Sequence, residues 1–389
     1  MILGILKEKE GENRVAVLPD MATQLMNMKT EVWVETNAGI LAFAKDKYYE
    51  KEGAQIKTRD EILTKADVLL SIQALSASEV SKLKKGAVHV GMFQPLFNYN
   101  LMKTYAGQGV SSFSLDMIPR TSRAQSMDVL SSQANIAGYK AVLVAASNYP
   151  RFYPMLTTAA GSIPPARVLI LGAGVAGLQA IATAKRLGAV VEVFDTRPSV
   201  KEEVQSLGAK FIEVDGAADA SKAGGYAVEQ NEEYKKKQHQ RIAEAIAKAD
   251  VVITTAQIPG KKAPMLITLE MVESMKAGSV IVDLASSSGG NCECTVDNQS
   301  VRQNGTLIIG NSNLPSTMPA DASKVFGKNL LNFLKLMISA DGQLNLNFED
   351  DLIKGTCITH NGQVVNERVK ELLQSSPAVN GRVKELNLN

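Results

Sequence analysis

The stretch Val168-Leu169-Ile170-Leu171-Gly172-Ala173-Gly174-Val175-Ala176-Gly177 decides the fold. Its first four residues are apolar without alternation, the pattern of a strand covered on both faces of a parallel sheet. Gly172, Gly174 and Gly177 then complete G-x-G-x-x-G, and a helical pattern runs from Val175 to Leu187. A second apolar run, Val190 to Phe194, ends at Asp195, eighteen positions after Gly177. A lone glycine pattern carries little; strand, turn, helix, strand and terminal acid together make the dinucleotide fingerprint. Gly172 permits the tight turn, Gly174 lets the backbone approach a pyrophosphate, and Gly177 lets helix and strand pack closely. The helix start at Val175 and Ala176 offers free N–H groups and a positive dipole end. Asp195 suits the adenosine ribose hydroxyls and disfavours a 2′-phosphate, so NAD(H) is expected over NADP(H), with Arg197 softening that preference.

Similar strands surround this unit. Val32 to Glu35, Val68 to Ile72, Val88 to Met92 and Ser111 to Leu115 precede it; Val251 to Thr255, Val280 to Leu284 and Leu307 to Ile309 follow. Amphipathic helices between them imply βαβ units. Lys65-Ala66-Asp67-Val68 is echoed by Lys248-Ala249-Asp250-Val251. The expected fold is α/β: two doubly wound Rossmann-like domains with mostly parallel sheets, joined by long helices. Residues 1–130 and 320–375 are expected to form a first, discontinuous domain, 131–319 the dinucleotide domain, and 376–389 a loose tail. No glycine-rich turn follows Ile2 to Leu6, so the first domain is not expected to hold a dinucleotide this way.

Two helices are expected to connect the domains. One reads from Arg123 to about Ala146, with Met127, Leu130, Ala134, Ala137, Ala141 and Val144 as its apolar stripe and Thr121 or Ser122 as cap. Gln125, Asp128, Ser131, Ser132 and Asn135 form a second stripe. A polar face usually meets solvent, but this one is neutral except at Asp128, and small neutral groups suit a nicotinamide carboxamide. Arg120 and Arg123 could pair with Asp128 or reach a cofactor. The other helix, Lys324 to Ile338, returns the chain to the first domain. Between the domains' regular elements lies an insertion, Asp215 to Arg241, with Gly224-Gly225-Tyr226 at its centre. It reads as a solvated loop or as a lid over a ligand.

The composition narrows the function. The chain has 389 residues and a formal net charge of +2, so no global field favours nucleic acid or an anionic membrane. Three cysteines are too few for a disulfide scaffold, which suits a reducing compartment. The N-terminus resembles neither a secretory signal nor a transit peptide. Cys292-x-Cys294 has no second ligand pair, so no metal is expected. A dehydrogenase acting on an alcohol or amine needs a proton-handling group. Of three histidines, His239 lies in the insertion, His360 near the polar end, and His89 inside an apolar strand as a core residue.

Several runs resemble proton-translocating NAD(P) transhydrogenase, specifically the soluble NAD(H)-binding component of its alpha subunit: Pro119 to Gln133, Gly172 to Gly177, Phe194-Asp195-Thr196-Arg197-Pro198, Thr254 to Gly260, and Gly289-Gly290-Asn291-Cys292-Glu293. The resemblance covers about Met1 to Lys370 and is closest to the split form, whose membrane-spanning and NADP(H)-binding parts are separate chains. It implies that Arg120, Gln125, Asp128 and Ser131 hold the nicotinamide end. Gly172, Gly174, Val175, Ala176 and Gly177 would follow the pyrophosphate, and Asp195, Thr196 and Arg197 the ribose. Gly225, Gln238 and Gln257 match further cofactor contacts, and Tyr226 falls on a mobile loop. The resemblance also implies a homodimer, cytoplasmic and held at the inner membrane by its partner subunits. Hydride would pass directly from NADH to NADP+ bound on a partner. Two nicotinamides leave no substrate oxygen or nitrogen to protonate, which accounts for the missing acid and base.

Alanine dehydrogenase is the alternative, since Arg14-Val15-Ala16 resembles that family's carboxylate-binding start. At that family's lysine, histidine and acidic positions this chain has Gln73, Gln94 and Ser287. Gln is neither acid nor base near neutral pH. A third reading, an NAD(H) sensor without catalysis, needs neither the neutral stripe nor the lid.

Overall fold

The computed structural model describes residues 1–216 and 231–375. The centre of the insertion, with Gly225 and Tyr226, and the tail after Ser375 lie outside the described residues.

Two large sheets form the chain. The first has eight strands in the order Gln363–Val364, Cys357–His360, Ser111–Ser114, Val88–Gly91, Val68–Leu70, Ile2–Ile5, Glu31–Glu35, Gln55–Lys57. Its last six strands in that order are mutually parallel, and the two late strands add antiparallel at the edge. The second runs Lys210–Phe211, Val190–Phe194, Arg167–Leu171, Val251–Thr254, Val280–Asp283, Thr306–Gly310, Gln299–Gln303. Only the Gln299–Gln303 edge is antiparallel. Both sheets are doubly wound, as the strand pattern predicts, and central strands such as Val68–Leu70 and Val251–Thr254 are buried throughout.

The sequence echo is a real structural equivalence. Asp67 and Asp250 each precede the fourth strand of their sheet. Asp67 accepts the Ile2 N–H at 2.8 Å and the Lys84 ammonium at 2.5 Å. Asp250 accepts the Arg167 N–H at 2.9 Å and the Lys276 ammonium at 3.0 Å. In both sheets one carboxylate ties the start of the first strand to the approach of the fifth.

The connecting helices differ in detail from expectation. The first starts at Val129 and runs to Asn148, not from Arg123. Asp128, not Thr121 or Ser122, is its cap: it is extended and accepts the Ser131 N–H at 2.9 Å and the Ser131 hydroxyl at 2.6 Å. Such a cap is worth ~1 kcal/mol. Ser122–Met127 form a 3₁₀ turn instead. The buried face also shifts: Gln133, Ala137, Ala141 and Ala145 lie on it, while Leu130, Ala134 and Val144 are only half buried. The return helix, Pro319–Met337, begins five residues before Lys324 because Pro319 tolerates the first helical turn. Its Phe326, Leu330, Phe333 and Leu334 are buried in the first domain's core.

Glycine fixes how the crossover helix sits. A Cβ on Gly138 would lie 2.0 Å from the Ala176 carbonyl oxygen, so only glycine lets this helix touch the start of Val175–Arg186. Among the described residues, no helix is long and apolar enough to cross a membrane.

Candidate functional site

A cleft of about 1880 Å³ opens between the carboxyl ends of the two sheets. Ligands of doubly wound sheets bind where the strand order reverses. In the second sheet that point lies between Arg167–Leu171 and Val251–Thr254, and the chain after both strands lines the cleft.

The glycine turn fits its expected roles. Gly172 has φ +106°, which glycine adopts without strain. Nothing lies within 4 Å of where a Gly174 Cβ would be, so a ligand can reach that backbone. A Cβ on Gly177 would lie 1.9 Å from the Gly172 oxygen, so the helix packs on the turn only through glycine. Gly172, Gly174, Val175 and Ala176 line the cleft, while Gly177 is buried beneath it. This is a backbone cradle with a helix N-terminus, a donor set that fits a pyrophosphate.

Asp195 stands at the end of the next strand, and Thr196 and Arg197 line the cleft beside it. The Asp195 carboxylate accepts the Ala173 N–H at 2.7 Å and the Arg197 N–H at 2.8 Å. The Arg197 side chain adds two more bonds, and its guanidinium pKa is raised, chiefly by those bonds. Gln238, on the helix Glu232–Ile246, also lines the cleft. So does Gln257, which donates to the Leu284 carbonyl at 2.9 Å.

The expected nicotinamide-side residues divide. Arg120 and Ser131 line the cleft; Gln125 and Asp128 are not among its lining residues. Gln125 is exposed on the 3₁₀ turn, so it does not continue a helical stripe with Ser131. Asp128 is engaged with Ser131 as the helix cap. Arg123 neither pairs with Asp128 nor lines the cleft; it clamps Asp350, at 2.7 Å through Nη1, and Asp351.

The cleft also contains residues outside the transhydrogenase-like runs. Arg14 is buried and donates to Glu12 at 2.6 and 2.7 Å, to Gln133 at 2.7 Å and to Asn313 at 3.2 Å. Hydrogen bonding and charge from Arg14 hold Glu12 below the usual carboxylate range, although burial, the largest single influence, acts upward. The cluster ties the first domain's amino-terminal loop to the crossover helix and to the loop before the return helix. Its sequence signal is Gln133, spaced by fours from Ala137, Ala141 and Ala145. Asp116 also lines the cleft. Burial raises its pKa against hydrogen bonds from Ser114 and nearby backbone N–H groups. Arg14, Gln73, Gln94 and Ser287, the positions compared with alanine dehydrogenase, all lie on this cleft.

His89 is fully buried in the first sheet, as expected of a core residue. His239 is exposed on the helix Glu232–Ile246, and neither it nor His360 lines the cleft. Cys292 and Cys294 are free thiols, and burial pushes Cys292 up to about 12.

The description "Alanine dehydrogenase/PNT, N-terminal domain" fits residues 4–137, and "Alanine dehydrogenase/PNT, C-terminal domain" fits residues 141–367. The chain belongs to the alanine dehydrogenase/PNT family. Within that family it is 46% identical over 376 residues to the first part of the NAD(P) transhydrogenase alpha subunit of Rhodospirillum rubrum, covering 94% of this chain and 98% of the relative. A transhydrogenase structure from Sinorhizobium meliloti superposes with a TM-score of 0.83 at 43% identity, covering 94% of this chain and 99% of that one. Alanine dehydrogenase 1 of Staphylococcus aureus is 28% identical over 381 residues, covering 94% and 95%. This alanine dehydrogenase/PNT chain thus lies on the transhydrogenase side of its family.

Proposed function

We propose that this chain is the NAD(H)-binding component of a proton-translocating transhydrogenase, passing hydride directly between NADH and NADP+ held by a partner subunit. The observation that carries the reading is a cleft that joins a dinucleotide turn to neutral Gln73, Gln94 and Ser287, with no histidine among its described lining residues. The similarity to transhydrogenase alpha subunits supports it.

The bound nicotinamide would supply the hydride. The chain's own residues bind and orient. The turn Gly172 to Gly177, with Val175 and Ala176, would hold the pyrophosphate. Asp195, Thr196 and Arg197 would hold the adenosine ribose, and Gln238 and Gln257 would border the cofactor. Arg120 and Ser131 would meet the nicotinamide end. Asp128 would act through Ser131, whose hydroxyl it orients. Gln125, on the exposed turn, would meet the nicotinamide only when a partner closes the cleft. Catalysis of this kind is positioning and exclusion of water.

The reading keeps 1–130 with 320–375 as one domain and 131–319 as the other. It includes cytoplasmic placement against a membrane subunit that couples transfer to proton movement. It also includes a homodimer. The hairpin Leu156–Thr158 with Gly161–Ile163 and the exposed Phe152 and Met155 offer a surface for that contact.

The test mixes the chain with NADH, a transhydrogenase NADP(H)-binding domain and an NADP+ analogue of distinct absorbance. Analogue reduction that needs every component supports the proposal; no reduction with NADH bound sinks it. Gln125→Ala should slow transfer more than it weakens NADH binding.

One observation favours the alanine dehydrogenase-like alternative. Asp116 is a cleft carboxyl with a raised pKa, a property of proton-handling groups. NADH oxidation by pyruvate and ammonium, abolished by Asp116→Asn, would select that alternative.

A further inference from the structure

The cleft wall facing the dinucleotide turn includes Gln73, Ala74 and Phe93. One buried ring stands behind all of it. His89 lies on the strand Val88–Gly91 and is wholly enclosed. Its Nε2 is 2.7 Å from the Ser71 hydroxyl, and its Nδ1 is 2.9 Å from the Tyr105 hydroxyl. Its ring packs against Phe93 at a tilt of 42°, with centroids 4.5 Å apart.

Donor counting gives each bond a direction. The Gln73 carbonyl can only accept, and Ser71 Oγ lies 2.6 Å from it, so the Ser71 hydroxyl proton points there. Ser71 Oγ must then accept from His89, which puts a proton on Nε2. At the other end, Tyr105 Oη accepts the Leu75 N–H at 3.1 Å, and its own proton is free for His89 Nδ1. The chain reads Leu75 N–H to Tyr105, Tyr105 to His89, His89 to Ser71, Ser71 to the Gln73 carbonyl. Every buried donor in it has an acceptor. The Gln73 N–H is tied from the other side by Glu8 at 3.0 Å, so both backbone groups of this cleft residue are held.

We infer that His89 is a positioning residue: as a neutral ring with its proton on Nε2, it holds the Ser71–Leu75 loop and Phe93 as the fixed wall of the cleft. Burial, reinforced by Arg59 and Lys9 and opposed by Glu79, lowers its pKa to about 3, so the neutral form persists at working pH. The functional half of this inference rests on the transfer reaction proposed above; the structural half does not.

Two measurements test it. The chain has only three histidines, so single substitutions assign their imidazole ¹⁵N signals. An Nε2–H tautomer for His89 that does not titrate between about pH 5 and about pH 9 is expected. The Nδ1–H tautomer, or titration in that range, overturns the inference. In the transfer mixture, His89→Phe keeps a ring but removes both nitrogens. It should slow transfer ~10- to 100-fold while NADH affinity changes by less than about twofold, since misplacement near the reacting centre costs rate rather than binding. His89→Gln, which keeps a donor for Ser71, should recover much of that loss. Folded His89→Phe with wild-type rates overturns the inference. If His89→Phe does not fold, Ser71→Ala removes both the donor to the Gln73 carbonyl and the acceptor of the His89 Nε2–H, and should show the same split; wild-type rates there overturn it equally. Wild-type protein that binds NADH and transfers nothing would sink the proposed function instead. The tautomer, with faster amide exchange at Leu75 in His89→Phe than in His89→Gln, then decides the role of His89 alone.

Discussion

Arg197 grips Asp195 as a fork, with Nε 2.9 Å from one carboxylate oxygen and Nη2 2.7 Å from the other. Two backbone N–H groups take up the remaining capacity of that carboxylate. A ribose diol therefore has to displace the guanidinium before it can donate to Asp195. The same guanidinium offsets the charge that should repel a 2′-phosphate.

Arg197→Ala should accordingly sharpen the preference for NADH over NADPH, by about tenfold if one charge-assisted bond is at stake. Fluorescence titration with both nucleotides checks this. An unchanged ratio would mean that Arg197 takes no part in choosing between them.

Asp195→Ala should weaken NADH binding ~10- to 100-fold. It removes the proposed ribose acceptor and also the partner of the Ala173 N–H in the glycine turn. Calorimetric titration reads the affinity, and near-native binding would remove Asp195 from the site.

Gly138→Ala should disturb the cofactor turn from outside it. The added methyl would meet the Ala176 carbonyl and force the crossover helix off the dinucleotide helix. Overpacking of this kind costs ~1–3 kcal/mol. A lower denaturation midpoint together with weaker NADH binding is expected; lost stability with unaltered affinity would separate the packing from the site.

Asp283 is fully buried and organises the loop Gly289 to Thr295. It accepts from Thr254, Asn291 and Thr295 side-chain or backbone donors at 2.7–2.9 Å, and from the N–H groups of Ala285 and Cys292. Asp283→Asn turns an amide donor toward these donors and should cost ~2–4 kcal/mol. Urea denaturation measures this, and a wild-type midpoint would contradict it.

Acid should expose His89. Unfolded, it takes up a proton near pH ~6.5; folded, it resists to about 3. The unfolded chain then binds more protons, so this contribution to stability is lost as pH falls through that window, at up to ~1.4 kcal/mol per pH unit. Glu8 slopes the other way: burial raises it to about 7 despite backbone N–H donors from Ile72 and Gln73, so stability falls as pH rises toward 7. The difference between wild type and His89→Gln isolates the histidine. A difference constant from pH ~7 to ~4 would refute its depressed pKa.

Features with local causes are legible in the amino-acid sequence. Val190–Phe194 can be read to the residue, and the Asp67 and Asp250 echo marks equivalent strands, because buried parallel strands are short, apolar and bounded by helices. The antiparallel strands Gln299–Gln303, Cys357–His360 and Gln363–Val364 are not legible in this way. They are short or polar, and their pairing is set by distant chain. The start of the crossover helix is obscured because apolar spacing continues through Ala124 and Met127, both buried, although the backbone there is 3₁₀. The glycine turn is legible as a motif. The Arg14 cluster is not, since its partners Gln133 and Asn313 lie 119 and 299 positions away.

The crossover helix belongs to two bodies at once. Val129 at its beginning is part of the first domain's core, and Ala137, Ala141, Val142 and Ala145 are part of the second's. Its Gly138 sits against the dinucleotide helix with no spare room. A rod embedded at both ends cannot act as a jaw hinge. Any widening of the cleft has to come from torsion about the rod, or from the 3₁₀ turn that leads into it. A partner that closes the cleft has to twist that rod or bend that turn rather than swing a jaw.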